Sequence, residues 1–325
     1  MKKITRSVMS FLSSISGHLG RFVKERFNPQ GRGAILYFHR ILERNDAFYP
    51  DDINSNDFAN LLAALKPNFE FVPLSEITLP TSSGKPPLGI AFDDGYKDNL
   101  LALPVLESFN APATIFVATA GVHEGILWQD RIVETLKIAS SEHLLNSPFS
   151  YQGKRRQRVA ITQQLMADWK RLPVEERDSE ISSLMRRWEI AEEDLPSLML
   201  NERDILTLSR HPLISLGAHT HDHAILTTVS DSEAKKQIQK SHEILTSITG
   251  VAPSLFCYPN GKPGVDFTDE HAEMVRSLGF HFAYTTADGG VDRDVDAMKI
   301  PRFLPFRKQA LLRALSTIKI AGEIA

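Results

Sequence analysis

Leu88-Gly-Ile-Ala-Phe-Asp-Asp-Gly-Tyr96 is a short apolar run that ends on two adjacent carboxylates and a turn glycine. Such a run, bounded by polar and turn residues, has the pattern of a strand buried on both faces, as in a parallel sheet. Ala34–Phe38, Ala113–Ala118, Ile214–Ala218, Ser254–Tyr258 and Phe282–Thr285 repeat it, and Met298–Arg302 is a last candidate. Helical patterns lie between several of them, at Asp57–Leu65, Asn99–Phe109, Asp231–Thr249 and Asp269–Leu278. Strand–helix alternation of this kind predicts an α/β fold of about seven parallel strands with helical crossovers, closing in a barrel-like manner. The interval from about 126 to 210 breaks the rhythm. Its only glycine between Ile126 and Leu216 is Gly153, and Ile161–Trp169, Ser179–Trp188 and Asn201–Leu208 have a helical pattern. It is expected to be a helical insertion between two core strands, serving either as structural decoration or in gripping a large substrate.

Two carboxylates side by side at a strand end repel one another unless a cation or a proton separates them. A helix cap could explain one of Asp93 and Asp94, but not both. A second cluster, Gly217-Ala-His-Thr-His-Asp-His223, stands at another strand end. A helical turn there would put His219 and His223 on one side, whereas an extended segment would align His219, His221 and His223. Either arrangement suits a divalent metal that takes imidazole ligands, with zinc the default. One Asp and two His leave coordination positions open, as a catalytic site requires, and the second carboxylate can then accept a proton from the attacking water.

Phe-Asp-Asp-Gly followed by His-x-x-x-His at strand ends resembles the polysaccharide deacetylases, the NodB-homology domain of carbohydrate esterase family 4. The resemblance runs from about Ile35 to Phe303, and it implies a distorted (β/α) barrel, NodB-like, occupying residues 33–325. It also implies that Asp93 is the catalytic base and that Asp94, His219 and His223 are the metal ligands. The family's Arg-x-Pro-Tyr motif falls on Cys257-Tyr-Pro-Asn-Gly261, so the backbone amide of Asn260 would help hold the oxyanion and Tyr258 would lie in the substrate site. Cys257 stands where the base-orienting arginine is usual, and Arg302 in Ile-Pro-Arg-Phe is the candidate substitute, a surface arginine being the other reading. No histidine follows His281 to supply the family's late general acid. His39, ending the first strand in Tyr-Phe-His-Arg, is the alternative acid, or else a core histidine bonded to a carbonyl. Trp128 either stacks on a sugar ring or anchors the insertion.

The resemblance therefore implies a metal-dependent N-deacetylase acting on an N-acetylated glycan, a cell-surface polysaccharide or its lipid-linked precursor. An O-acetyl esterase, a small-amide hydrolase and a catalytically weakened glycan-binding protein are the alternatives. The composition is that of an ordinary globular protein: 325 residues, 42% hydrophobic and 24% charged. A net charge of −3 does not suit a binder of nucleic acid, and one cysteine excludes an internal disulfide. Residues 1–27 place Ile4, Val8, Phe11, Ile15, Leu19 and Phe22 at helical spacing opposite a basic face. This predicts an amphipathic helix within residues 1–32, either lying on a membrane surface or packed against the domain. Without a cleavable signal pattern, the expected location is cytoplasmic, peripheral at the inner membrane face if the helix binds lipid.

Overall fold

A computed structural model describes residues 33–145, 149 and 152–305. The amphipathic helix expected over residues 1–32 lies outside them, and so does its contact with a membrane. The apolar runs form the sheet. Strands β1 (Ala34–Phe38) and β6 (Ala113–Val117) are buried at every position, as strands covered on both faces must be. The other members are β4 (Glu70–Phe71), β5 (Pro87–Phe92), β7 (Ile214–Ala218), β8 (Leu255–Cys257) and β9 (Phe282–Tyr284). Their order is β1-β5-β6-β7-β8-β9, all parallel, with β4 pairing the start of β5. Two short strands, β2 (Ile41–Leu42) and β3 (Ile53–Asn54), pair separately.

The seventh strand of the sheet is thus β4, not the expected Met298–Arg302. That segment makes only isolated pairings: Ile300 bridges Tyr284 and Phe303 bridges Leu36. Pro301 has no N–H to contribute to a ladder, which accounts for the interruption. The pairings nevertheless join the two edges of the curled sheet, since Phe303 N–H donates to Ile35 and Ile300 N–H donates to Ala283. Strand carboxyl ends therefore gather at one rim, where both sequence clusters sit.

Helices cover the sheet: α1 (Ser55–Leu65) and α2 (Leu103–Phe109) before β6, then α9 (Asp231–Thr249) and α10 (Asp269–Ser277) after β7. Helix α9 is capped by Ser230, whose hydroxyl accepts from Glu233 N–H, and it buries Ala234, Ile238 and Leu245 at helical spacing. Between β6 and β7 the chain forms α3 (Ala120–Glu124), α4 (Trp128–Ile138), α5 (Ser141–Leu145), α6 (Arg155–Trp169), α7 (Val174–Arg187) and α8 (Glu202–Ser209). Ile132, Val133, Leu136, Leu165, Ile181, Leu184 and Trp188 build a separate small core, which also takes in Phe48 from the loop between β2 and β3. Helix α8 differs from the rest of this stretch. Its Ile205 and Leu208 join the core of the sheet, so it serves as the crossover helix into β7.

Candidate active site

The Asp-Asp-Gly turn is shaped by backbone that few residues adopt. Asp94 has φ 75° and Gly95 φ 86°, and a Cβ on Gly95 would press to 3.1 Å from Val117. Left-handed backbone favours glycine, with Asp and Asn among the better tolerated others. The turn sends the two carboxylates in different directions. On β7, the segment after Ala218 is neither an extended strand nor a helix: Thr220 (φ 60°) and His223 (φ 52°) fold it into an irregular turn. His219 and His223 face one another with ring centroids 4.8 Å apart. His221 turns aside, its Nδ1 2.9 Å from the Thr119 hydroxyl.

Asp94 Oδ1 lies 3.3 Å from His219 Nε2 and 3.1 Å from His223 Nε2, and it receives no hydrogen bond. His219 Nδ1 is 2.7 Å from the Cys257 carbonyl, which can only accept, so Nδ1 carries a proton. Against burial, the Cys257 contacts and Asp94 push this imidazole well above its ordinary range, and a cation between Nε2 and the carboxylate would take the place of the Nε2 proton. A carboxylate oxygen and two imidazole Nε2 atoms thus converge on one buried point. Metal–ligand bonds of about 2.0–2.1 Å in a tetrahedral site place donors about 3.3 Å apart, which these separations match. The donor set, one carboxylate oxygen and two imidazole nitrogens, fits a divalent cation such as zinc. A neighbouring trio, Asp93, His219 and Cys257, also clusters. Its charge demand is already met by Arg302.

Arg302 is not on the surface. It is fully buried, and its Nη1 and Nη2 donate to Asp93 Oδ1 and Oδ2, each at 2.8 Å. Nη2 also lies 2.9 Å from Cys257 Sγ, Nε donates to the Thr285 carbonyl, and the guanidinium sits 4.4 Å from the Tyr37 ring centroid. Burial pushes the Asp93 carboxyl up, but the Arg302 charge and hydrogen bonds, helped by His219 and His39, bring it below the ordinary carboxylate range. The same surroundings, despite burial, hold the Arg302 guanidinium in its charged form.

A cavity of about 420 Å³ opens over this centre. Asp94, His223, His39, Asn260 and Trp128 line it, while Asp93, His219 and Arg302 lie beneath. The His39 ring stands edge-on to Tyr37 at the cavity wall. Asn260 holds a left-handed φ of 58° there. Trp128 combines both expected positions, lining the cavity while packing on the insertion's core beneath the Arg177 guanidinium, 4.7 Å from its centroid. Tyr258 is a correction. Its ring stacks on Phe267 at 3.7 Å and its hydroxyl donates to the Met298 carbonyl, so the structure places it in the core and not at the cavity.

The sequence reading missed the wall opposite. Gln129 Nε2 donates to Asp94 Oδ2 and to Tyr96 Oη, each at 3.3 Å. Tyr96 Oη donates to Asp130 Oδ2 at 2.8 Å. Tyr49 Oη lies 3.2 Å from Asp130 Oδ1 and 2.8 Å from Glu134 Oε1, and its single proton cannot serve both. A proton on Asp130 resolves this. Burial pushes that carboxyl up to about 7, against the pull of Arg40. Asp52, also on the wall, is pushed up to about 6 by burial, against His39 and Arg40. The signal for Gln129 and Asp130 was their place immediately after Trp128 at a helix start; nothing in the spacing tied them to Asp94.

The curled parallel sheet, with Asp94 at a strand end facing two histidines and Asp93 beside it held by Arg302, matches a NodB-like (β/α) fold. The polysaccharide deacetylase family model matches residues 181–283, which bears out the resemblance over the stretch holding His219, His223 and Cys257; the Asp-Asp-Gly turn lies outside the matched residues. Among solved structures, IcaB from Ammonifex degensii is similar at 18% identity and TM-score 0.56, over 88% of this chain and 97% of that one. The Streptococcus pyogenes deacetylase PplD, in complex with acetate, matches at 16% identity and TM-score 0.55, covering 87% and 97%. The BpsB deacetylase domain from Bordetella bronchiseptica matches at 14% and 0.51, covering 84% and 95%. These likenesses establish the fold. No curated protein matches the sequence.

Proposed function

We propose that the chain is a metal-dependent N-deacetylase that hydrolyses the acetamide of an N-acetylhexosamine in a cell-surface polysaccharide or its lipid-linked precursor. The observation that carries the proposal is Asp94 Oδ1, buried without a hydrogen-bond donor and facing two imidazole Nε2 atoms, beside a second carboxylate held by Arg302. The deacetylase PplD and the BpsB deacetylase domain share the fold, in line with a deacetylation reaction.

Asp94, His219 and His223 would hold the cation. Bound there, a divalent metal supplies Lewis-acid polarisation of the acetamide carbonyl and acidifies water. Asp93 receives the proton of the attacking water on its carboxylate. Arg302 keeps that carboxylate ionised, and its fork fixes the direction in which the free lone pairs point. A base held below the ordinary carboxylate range is weak, so its contribution depends on the water being acidified in place. The Asn260 amide donates to the developing oxyanion, an interaction of about 3 kcal/mol where such donors have been removed. His39 protonates the departing amine from the cavity wall, and Trp128 offers its indole face to the sugar ring.

Acetate release from N-acetylglucosamine oligomers, measured with and without a chelator, tests the proposal. Release that stops with chelator and returns with zinc is expected. No acetate from metal-loaded protein on oligomers or on lipid-linked N-acetylhexosamine would overturn it.

A further inference from the structure

The two oxygens of Asp94 have different fates. Oδ1 faces the two histidines and receives no hydrogen bond, whereas Oδ2 accepts from Gln129 Nε2 at 3.3 Å. Fixing one oxygen of a carboxylate fixes the other, because the group is planar and turns about a single bond. Gln129 therefore directs Oδ1 at the place where the two imidazole Nε2 atoms converge.

Gln129 is itself clamped. Its other amide proton goes to Tyr96 Oη, and that hydroxyl's proton goes to Asp130 Oδ2 at 2.8 Å. The amide orientation follows from donor counting. With the Tyr96 proton committed to Asp130 and no proton on Asp94, an amide turned the other way would aim its oxygen at two acceptors. Asp94 and Tyr96 flank Gly95, and Gln129 and Asp130 are neighbours in the first turn of α4. Three hydrogen bonds thus tie the Asp-Asp-Gly turn to that helix. Both side chains from α4 are nine-tenths or more buried, so water competes little for these bonds. Helix α4 in turn is fixed by the insertion's own core, through Ile132, Val133 and Leu136.

We propose that Gln129 is a positioning residue through which the helical insertion sets the affinity of the metal centre. The inference rests on the proposed reading of Asp94, His219 and His223 as the ligands. Groups that orient a ligand from outside the coordination sphere typically alter metal affinity about 10–100-fold when removed.

The test is the dissociation constant for zinc ion, measured on the full chain by competition with a chromophoric chelator. Gln129→Leu should bind zinc about 10–100-fold more weakly than the unsubstituted protein. Tyr96→Phe, which releases the other end of the clamp, should weaken binding in the same direction. Gln164→Leu, on the exposed side of α6 in the same insertion, should leave it unchanged. Circular dichroism with chelator present shows whether each variant is folded. Should Gln129→Leu not fold, Tyr96→Phe decides. Zinc affinity equal to that of the unsubstituted protein in the folded variants overturns the inference while leaving the metal centre intact. Absence of zinc binding by the unsubstituted protein overturns the metal reading, and this inference with it.

Discussion

Replacing Arg302 by Met removes the cation that faces Asp93 and leaves a carboxylate buried among apolar atoms. Two charge-assisted hydrogen bonds are lost, at about 1.5–3 kcal/mol each. The contact with the Tyr37 face goes too, worth about 2 kcal/mol when desolvated. Breaking a buried pair by removing one partner typically costs about 3–5 kcal/mol, and this variant should fall in that range at pH 7. In the intact protein the Asp93 carboxyl lies below its ordinary value, so its contribution is present above about pH 4 and is lost as pH falls through the folded value. In Arg302→Met, burial, the largest of the influences on Asp93, is opposed only by His219 and His39 and raises that carboxyl, so the variant loses stability as pH rises. The difference between the two should therefore widen with pH, by at most about 1.4 kcal/mol per unit. Urea unfolding at pH 4.5, 6.0 and 7.5, with chelator present, measures it. Asp93→Asn and the double variant complete a cycle, and the double should cost about 2–3 kcal/mol less than the sum of the singles. A difference that is flat with pH, or additive singles, would refute the argument that the pair is held by its charges.

Three further outcomes are expected. Asp93→Asn should retain metal and fold while acetate release falls about 10²–10⁴-fold, since an amide cannot take up the proton; release at the original rate would remove Asp93 as the base. His219→Ala and His223→Ala should lose zinc in elemental analysis while His221→Ala, whose ring faces Thr119, keeps it; full zinc in the first two sinks the ligand assignment. Asp130→Asn should gain stability relative to the unsubstituted protein between pH 5 and 8. The folded carboxyl at about 7 binds a proton that the unfolded chain releases near pH 4, so stability is lost as pH rises between the two, by up to about 4 kcal/mol, and Asn mimics the protonated form. Thermal unfolding at both pH values reads it, and an identical gap at each would count against a protonated Asp130.

The legible parts of this chain were those where chemistry and periodicity coincide. Apolar runs of five or six residues marked the long strands, and Asp231–Thr249 stood out because its cap, its buried stripe and the terminating Gly250 agree along the sequence. The His-x-x-x-His spacing brought the right two rings together through backbone that was neither of the two regular conformations considered. Two left-handed residues, Thr220 and His223, do the work of a helical turn. Tyr258 failed for a different reason. On β8 successive side chains alternate between faces, so a residue beside Cys257 points away from whatever Cys257 touches. Cys257 belongs to the cluster around Tyr37 and Phe116, next to Asp93, whereas Tyr258 belongs to the cluster under the helices. Gln129 and Asp130 were hidden because hydrogen bonding across the fold leaves no period in the sequence.

Cys257 and Arg302 together fill the space beside Asp93 where the resemblance places an arginine. An ionised Asp93 needs a buried cation opposite, since an isolated carboxylate there would take up a proton and could not serve as the proposed base. Several strand ends surround that point, and any of them can deliver the cation if its neighbour leaves room. Beside β9, residues 300–303 run next to β1, so Arg302 approaches Asp93 from the seam of the curled sheet. Its Nη2 rests 2.9 Å from the Cys257 sulfur, at the position where the resemblance places an arginine. A thiol fills a small volume and is both a weak acceptor and a weak donor, so it accommodates the guanidinium while its sulfur, 3.7 Å from Asp93 Oδ2, adds only a weak bond to the carboxylate. The carbonyl of the same residue accepts from His219 Nδ1 and so turns Nε2 toward Asp94. Cys257 therefore touches both halves of the site, through its side chain toward the base and through its backbone toward a metal-ligand candidate, and its smallness is the feature that lets a cation 45 residues further along the chain stand in for a missing one.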